Sequence, residues 1–221
     1  MKKRILIIMT SHSELGNTGQ LTGAYIPEVA HPFAVFEQAG FVVDLANVSG
    51  GKTPLYGLDV NDKVSAAFVE RHRAALEGTT RAAERQASDY SAVFYAGGHG
   101  TMWDFPQNEG IQRIGAEVYE SGGVIGAVCH GPAALLGLHL SSGESLIAGR
   151  VVSAFSNDEE RALGLQSAVP FLLEDRLRSE GALIQNKAIW QPQVVQSGRL
   201  VTGQNPASAT GVAEQVVRLL N

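Results

Sequence analysis

The sequence predicts an α/β protein: a mostly parallel sheet with helices packed on both faces. Three observations lead there. Short apolar runs alternate with stretches of helical periodicity along the whole chain, which is the pattern of strand–helix–strand units. No internal repeat, low-complexity segment or Pro/Gly/Ser-rich linker interrupts that alternation, so residues 1–221 read as one continuous domain. Two connections, residues 11–27 and 48–61, are longer than the fold requires. Both leave the carboxyl ends of predicted strands, the side on which open α/β sheets bind their ligands.

Taken in order, the strand candidates are RILIIMT (4–10), FVVDLA (41–46), AVFYA (92–96), GVIGAV (123–128), RVVSAF (150–155), ALIQN (182–186) and RLVTG (199–203). Between the first two, Val29, Phe33 and Phe36 recur at helical spacing up to Gly40, a residue suited to end a helix. Pro32 is expected in the first turn of that helix, with Glu28 at or just before its start. Val64, Phe68 and Ala75 suggest the core stripe of a second helix. The last helix is the clearest, with Ala209, Val212, Ala213, Val216, Val217 and Leu220 on one face and Asn205 and Pro206 as N-cap and first residue.

The net charge of −5 and a mean hydropathy near zero offer no electrostatic footprint for nucleic acid or an anionic membrane. No stretch approaches the roughly 18 apolar residues of a membrane span. MKKRILIIMT carries the charge of a secretory leader, but its apolar run is too short and reads as a first buried strand. The single cysteine excludes an internal disulfide framework and any Cys-rich zinc pattern, and it points to a reducing, cytoplasmic compartment.

That cysteine lies in AVCHGPAAL, residues 127–135, directly after a strand and before a helix opening near Pro132. Strand, sharp turn and helix, with small residues at Ala127 and Gly131, make the layout of a nucleophile elbow. A helix amino terminus stabilises negative charge, so the Cys129 thiol is expected to be more acidic than usual. A small core cysteine is the alternative. A second constellation, AGGHGTMWDFPQN (96–108), follows another strand. It fits neither common nucleotide-binding glycine pattern, since no lysine follows and Trp103 stands where a third glycine would. The N–H of Gly98, together with that of His130, could instead form an oxyanion hole. Trp103 and Phe105 either narrow an entrance or pack under a loop.

Together these motifs resemble the PfpI-like superfamily, cysteine enzymes related to class I glutamine amidotransferases, and within it the branch of heat-inducible chaperones and glutathione-independent glyoxalases. The resemblance rests on TSHSE after the first strand, PEVAHPF, GGHGTMWDFP, AVCHGPAAL, FSNDEERALG and VTGQNPASA, which occur in that order from about residue 4 to 220. It implies a flavodoxin-like three-layer sandwich, a homodimer, and a cysteine–histidine–acid triad with an extra glutamate beside the sulfur. Cys129 and His130 fall on the nucleophile and its histidine, and Glu28 falls on the extra glutamate. The triad acid lies in NDEERALG; Glu160 is the placement, with Asp158 and Glu159 immediately beside it. His12, His31, His72, His99 and His139 read as structural or solvent-exposed.

A glutaminase would need an H-x-E pair well beyond the cysteine, and here His139 is followed by Leu140 and Ser141. The resemblance therefore implies glyoxalase III chemistry, methylglyoxal to lactate, with a small dicarbonyl as substrate and no metal or organic cofactor. A carboxylate beside a thiolate raises the pKa of both, so Glu28 is expected to be protonated and to donate to the sulfur. A PfpI-type hydrolase or peptidase, a holdase chaperone and a peroxide-sensing thiol remain the alternatives.

Overall fold

The computed structural model describes residues 3–221. In chain order the strands are β1 (Arg4–Met9), β2 (Ala24–Tyr25), β3 (Val42–Asn47), β4 (Leu55–Tyr56), β5 (Thr80–Arg81), β6 (Ala92–Tyr95), β7 (Val124–Val128), β8 (Val151–Val152), β9 (Leu183–Ile184), β10 (Val194–Ser197) and β11 (Leu200–Gly203). The helices are α1 (Ile26–Gln38), α2 (Lys63–Glu77), α3 (Thr101–Asp104), α4 (Glu109–Glu120), α5 (Asn157–Ala162), α6 (Leu173–Ser179) and α7 (Ala209–Leu220).

Seven strands form the main sheet in the order β10-β11-β7-β6-β1-β3-β5. All its ladders are parallel except β10 against β11. Strand β1 shows why the sheet needs cover on both sides. Ile5, Ile7 and Met9 join a core with Val29, Phe33 and Phe36 of α1 and Val212 and Val216 of α7. Leu6 and Ile8 face the other way, into a core with Ile111 and Ile114 of α4. Side chains alternate across a strand, so an unbroken apolar run feeds two cores at once.

Helix α1 starts a turn earlier than its apolar spacing suggests. Pro27 sits in the first turn, Glu28 beside it, and Pro32 is inside the helix. A proline has no N–H to give, so one bond of the ladder is missing at that point. The end of the helix is as expected: Gly40 has φ 84°, and the bonds Gly40 N–H to Glu37 O and Phe41 N–H to Phe36 O close a Schellman turn. In α2 the buried face is Ser65, Phe68 and Leu76. Val64 and Ala75, expected in that stripe, are exposed.

The segments 150–155 and 182–186 shrink to two residues each and pair with one another outside the main sheet. Side chains take the place of ladder partners: Ser153 N–H donates to Thr202 Oγ1 and Ala154 N–H to Asn186 Oδ1. The chain is thereby steered until Phe155 N–H reaches the carbonyl of Cys129 at 2.9 Å. At the last helix, Asn205 does not cap. A single 3-10 turn, Pro206–Ser208, precedes α7, and the Asn205 amide is spent on Glu159 and the Gln191 carbonyl, each at 2.8 Å. Among the described residues, no helix is long and apolar enough to cross a membrane.

Candidate active site

Because β1, β3, β6 and β7 are parallel, their carboxyl ends open on one edge of the sheet, and the long connections gather there. Tyr95 of β6 pairs with Ala127 of β7. Two residues further on, the chains have diverged only enough to leave Gly97 against Cys129. A Cβ added to Gly97 would come within 2.7 Å of the Val128 carbonyl and 2.8 Å of Cys129 Cβ, and would overlap the Glu28 carboxyl. Only glycine lets these three segments meet. Tyr25 N–H bonds the Gly97 carbonyl at 3.1 Å, which docks the first turn of α1, and Glu28 with it, on this turn.

Cys129 has φ 59°, one of two non-glycine residues with positive φ among those described. That conformation costs an L-residue about 1–2 kcal/mol and persists where neighbours over-determine it. Here both backbone groups are pinned: Cys129 N–H donates to Gly203 O and Cys129 O accepts from Phe155 N–H, both at 2.9 Å. The elbow turns the thiol out of β7 into a cavity of about 360 Å³, walled by Tyr25, Tyr56, His99, Phe155 and Trp190. The cysteine as a whole is only 4% exposed, so that cavity is its route to solvent.

His130 is fully buried, its ring between His99 (centroids 4.1 Å apart) and Phe155 (4.3 Å). Its Nδ1 lies 3.3 Å from Cys129 Sγ and its Nε2 2.8 Å from Glu160 Oε2. Burial alone would raise the Glu160 carboxyl, but hydrogen bonds from His130 and His99 outweigh it and hold it at about 2. An ionised carboxylate only accepts, so the Nε2 nitrogen carries hydrogen. Burial and the neighbouring His99 push His130 down to about 4. The ring is thus neutral near pH 7, with the bare Nδ1 lone pair facing the thiol.

The three adjacent acids have separate fates. Asp158 is at the surface, paired with Arg161 at 2.9 Å. Glu159 closes the capping box of α5 with Ser156, and its other oxygen accepts from Asn205 Nδ2 and from Trp190 N–H. Only Glu160 reaches His130. Glu28 is fully buried, and neither of its oxygens has a hydrogen-bond partner of good geometry among the described residues. Burial lifts its pKa from 4.5 to about 8, opposed in part by the approach of Cys129. Glu28 is therefore protonated near neutrality.

One expectation fails. The thiol is not made more acidic: burial comes first, and then the charge of Glu28, and together they push it well up. The elbow leads into a five-residue 3-10 segment, Gly131–Leu135, rather than an α-helix. Its dipole is slight, and the neighbouring amide of His130 is the one feature that draws the thiol down. The Gly98 amide has no backbone acceptor among the described residues. Gly98 has φ 108° and packs against residues 23–25.

His99, which reads from the sequence as structural or exposed, bonds Glu160 Oε1 through its Nε2 at 2.9 Å. Its signal in the sequence is its place directly after two glycines at a strand end. His12 does stack on Trp103, at 4.8 Å, which puts that tryptophan under the first long loop. Phe105 is fully buried against Tyr95. The aromatic walls of the cavity come instead from Tyr25, Tyr56, Phe155 and Trp190, which no motif marks. His99, His130 and Glu160 offer donor atoms within 4.8 Å of one another, a set divalent metals can use. These atoms are already closed on each other by hydrogen bonds, and a metal would have to displace both Nε2 protons.

Fold and site define a flavodoxin-like α/β protein with a cysteine, a histidine and two glutamates gathered at the carboxyl edge of the sheet. The chain belongs to the DJ-1/PfpI family, whose pattern matches residues 23–219. Glyoxalase 3 of Candida albicans is 34% identical over 232 residues, covering 97% of each chain. The crystal structure of glyoxalase III from that organism superposes with a TM-score of 0.86, at 31% identity and with 98% and 97% of the two chains covered. The glutathione-independent glyoxalase HSP31 of Saccharomyces cerevisiae is 33% identical over 99% of this chain and 98% of its own. Rapid Encystment Protein 24 kDa of Francisella tularensis superposes with a TM-score of 0.96 at 34% identity, covering 99% of both.

Proposed function

We propose that the protein converts methylglyoxal to lactate without glutathione, using Cys129 as nucleophile, His130 and Glu160 as its acid–base pair and Glu28 as the group that moves hydrogen on carbon. One observation carries the reading. A fully buried carboxyl, Glu28, with no hydrogen-bond partner among the described residues meets Cys129 across Gly97 at the head of a cavity, and the thiol is also faced by His130, which Glu160 holds. The similarity to proteins named as glyoxalases supports it.

The steps balance on these groups. His130 Nδ1 takes the thiol proton as Sγ bonds the aldehyde carbon, and Glu28 gives its proton to the oxygen of that carbon. This leaves a hemithioacetal, imidazolium and Glu28 carboxylate. The carboxylate removes the hydrogen from the former aldehyde carbon and His130 protonates the neighbouring carbonyl oxygen, giving an enediol. Glu28 returns its proton to the second carbon while His130 takes the hydroxyl proton from the first, and a thioester results. Water then attacks, losing a proton to Glu28, and the sulfur leaves with the proton on His130. Covalent capture divides one hard rearrangement into smaller steps. The Gly98 and His130 amides serve the first oxygen as an oxyanion hole. Neither a metal nor an organic cofactor enters these steps. The lone cysteine fits a reducing cytoplasm, and the family resemblance supports a homodimer, which light scattering on the purified chain would test.

The deciding experiment incubates purified protein with methylglyoxal, no glutathione present, and follows products by NMR, with glutamine and a peptide as parallel substrates. Lactate is expected from the wild type and none from Cys129→Ala. Undiminished lactate formation in that variant would remove the mechanism.

A further inference from the structure

We propose that Tyr56 is a further catalytic residue of this reaction: its phenolic O–H, oriented by His99, donates a hydrogen bond to the second oxygen of the captured dicarbonyl. The inference rests on the glyoxalase reading and concerns a residue outside the triad, the Glu28 pair and the glycine-rich turn.

Tyr56 belongs to the second of the two long connections, and its place is built rather than incidental. Strand β4 pairs in parallel with β2, with Tyr56 opposite Tyr25. Paired residues point to the same face of a ladder, and the two rings lie 5.2 Å apart. The next residue, Gly57, has φ 78°, and a Cβ there would run into the Tyr25 ring, so the close approach depends on glycine. Both rings wall the cavity that holds Cys129.

The Tyr56 hydroxyl has two partners, both on His99: Nδ1 and the backbone N–H, each at 3.4 Å. The His99 Nε2–H is committed to Glu160. With Nε2 facing Glu160, Nδ1 is the ring atom left to meet the phenol, and the backbone N–H donates to the phenol oxygen. Both contacts lie at the long limit for hydrogen bonds. The hydroxyl is aimed but only loosely held, and its O–H can turn from Nδ1 to a substrate oxygen while keeping the backbone N–H behind it. Burial, and then the charges of Cys129 and Glu28, push the phenol well above 10, so it stays a donor throughout the working range. Tyr56 and Cys129 line the same cavity.

The chemistry requires a donor at this point. When Glu28 removes the hydrogen from the first carbon, that electron pair enters the carbon–carbon bond and charge gathers on the second oxygen. In the proposed mechanism the amides of Gly98 and His130 are taken up by the first oxygen. A donor placed where charge develops is worth about 10²–10³ in rate. Tyr56 forms no bond to carbon and loses no proton; it stabilises the enediolate until His130 protonates it.

The test is Tyr56→Phe, which removes one oxygen with two long contacts and keeps the ring packing. Expected with methylglyoxal is a fall in kcat of about 100-fold, with KM changed less than about threefold. The alkylation rate of Cys129 by iodoacetamide should be unchanged, and the kinetic isotope effect with methylglyoxal deuterated at the aldehyde carbon should increase. A merely structural tyrosine would leave that isotope effect where it is. Wild-type kcat in the variant would overturn the proposal, as would a loss of kcat accompanied by an equal loss of thiol alkylation. Wild-type turnover with an indifferent variant removes Tyr56 alone. A wild type that forms no lactate removes the glyoxalase reading and this inference together.

Discussion

Glu160 receives the Nε2–H of His130 at 2.8 Å. Its second oxygen is held by His99 at 2.9 Å, and the carboxylate is all but buried, so its charge acts through a short path of low dielectric on the ring that faces the thiol. It fixes the His130 tautomer with the lone pair toward sulfur, and in the proposed mechanism it would stabilise the imidazolium that forms on attack.

Three neighbouring carboxylates should therefore respond differently to the same change. Glu160→Gln is expected to lower kcat by about 10²–10⁴-fold with a native circular dichroism spectrum. Glu159→Gln places a donor amide among Ser156, Trp190 and Asn205 groups that all donate, at a cost in stability of about 1.5–3 kcal/mol. Asp158→Asn removes an exposed pair and should change neither. Urea denaturation and lactate assays on the three variants check this; equal effects at 158 and 160 would refute the assignment.

The raised carboxyl of Glu28 makes stability depend on pH with a definite sign. Between its ordinary value of 4.5 and about 8 the folded chain keeps a proton that the unfolded chain has released. Its contribution is thus complete below 4.5 and is lost as pH rises toward 8, with no further change above. Glu28→Gln does not titrate. The Tm of that variant relative to wild type should rise steadily from about pH 4.5 to 8 and then level off, and a pH-independent difference would refute the buried, protonated state. Removing the carboxylate charge should also speed alkylation of Cys129 near pH 8.

The sheet was legible because each of its long parallel strands is an apolar run with cores on both sides. The ladders of 150–155 and 182–186 were not, because side chains of Thr202 and Asn186 end them, and such partners leave no periodic trace. The edge strand β10, VVQS, has too little apolar character to declare itself. Within the site, Cys129, His130, Glu28 and Glu160 were recognisable as pieces of ordered motifs. His99 and Tyr56 were not, since their meaning comes from parallel pairing of distant segments. The acidity of the thiol was misjudged because a strand–turn–helix pattern does not distinguish an α-helix from one and a half turns of 3-10.

Gly97 makes the meeting of Glu28 and Cys129 geometrically possible, so Gly97→Ala should disturb both at once. The added methyl meets backbone at Val128 as well as the Glu28 carboxyl, and neither can withdraw cheaply. Overpacking of this kind costs about 1–3 kcal/mol. Denaturation should show that loss, and lactate formation should fall even in molecules that remain folded. A fully active, equally stable variant would show that the turn can yield without moving either reactive group.

The left-handed conformation of Cys129 carries the last prediction, and it separates strain from chemistry. Cys129→Ala and Cys129→Gly both remove the thiol, but they differ at φ 59°. Alanine keeps the clash of Cβ with its own carbonyl, whereas glycine occupies this region freely. Elsewhere in a strand end glycine would be the less stable choice by about 0.5–1 kcal/mol; here the order should reverse, with Cys129→Gly more stable than Cys129→Ala by about 1 kcal/mol. The Gly203 carbonyl and Phe155 N–H hold the backbone in both variants, so relaxation cannot hide the difference. Urea midpoints with equal m-values would measure it. An alanine variant as stable as the glycine one would mean that the elbow is not strained, and that exposing the sulfur costs the fold nothing.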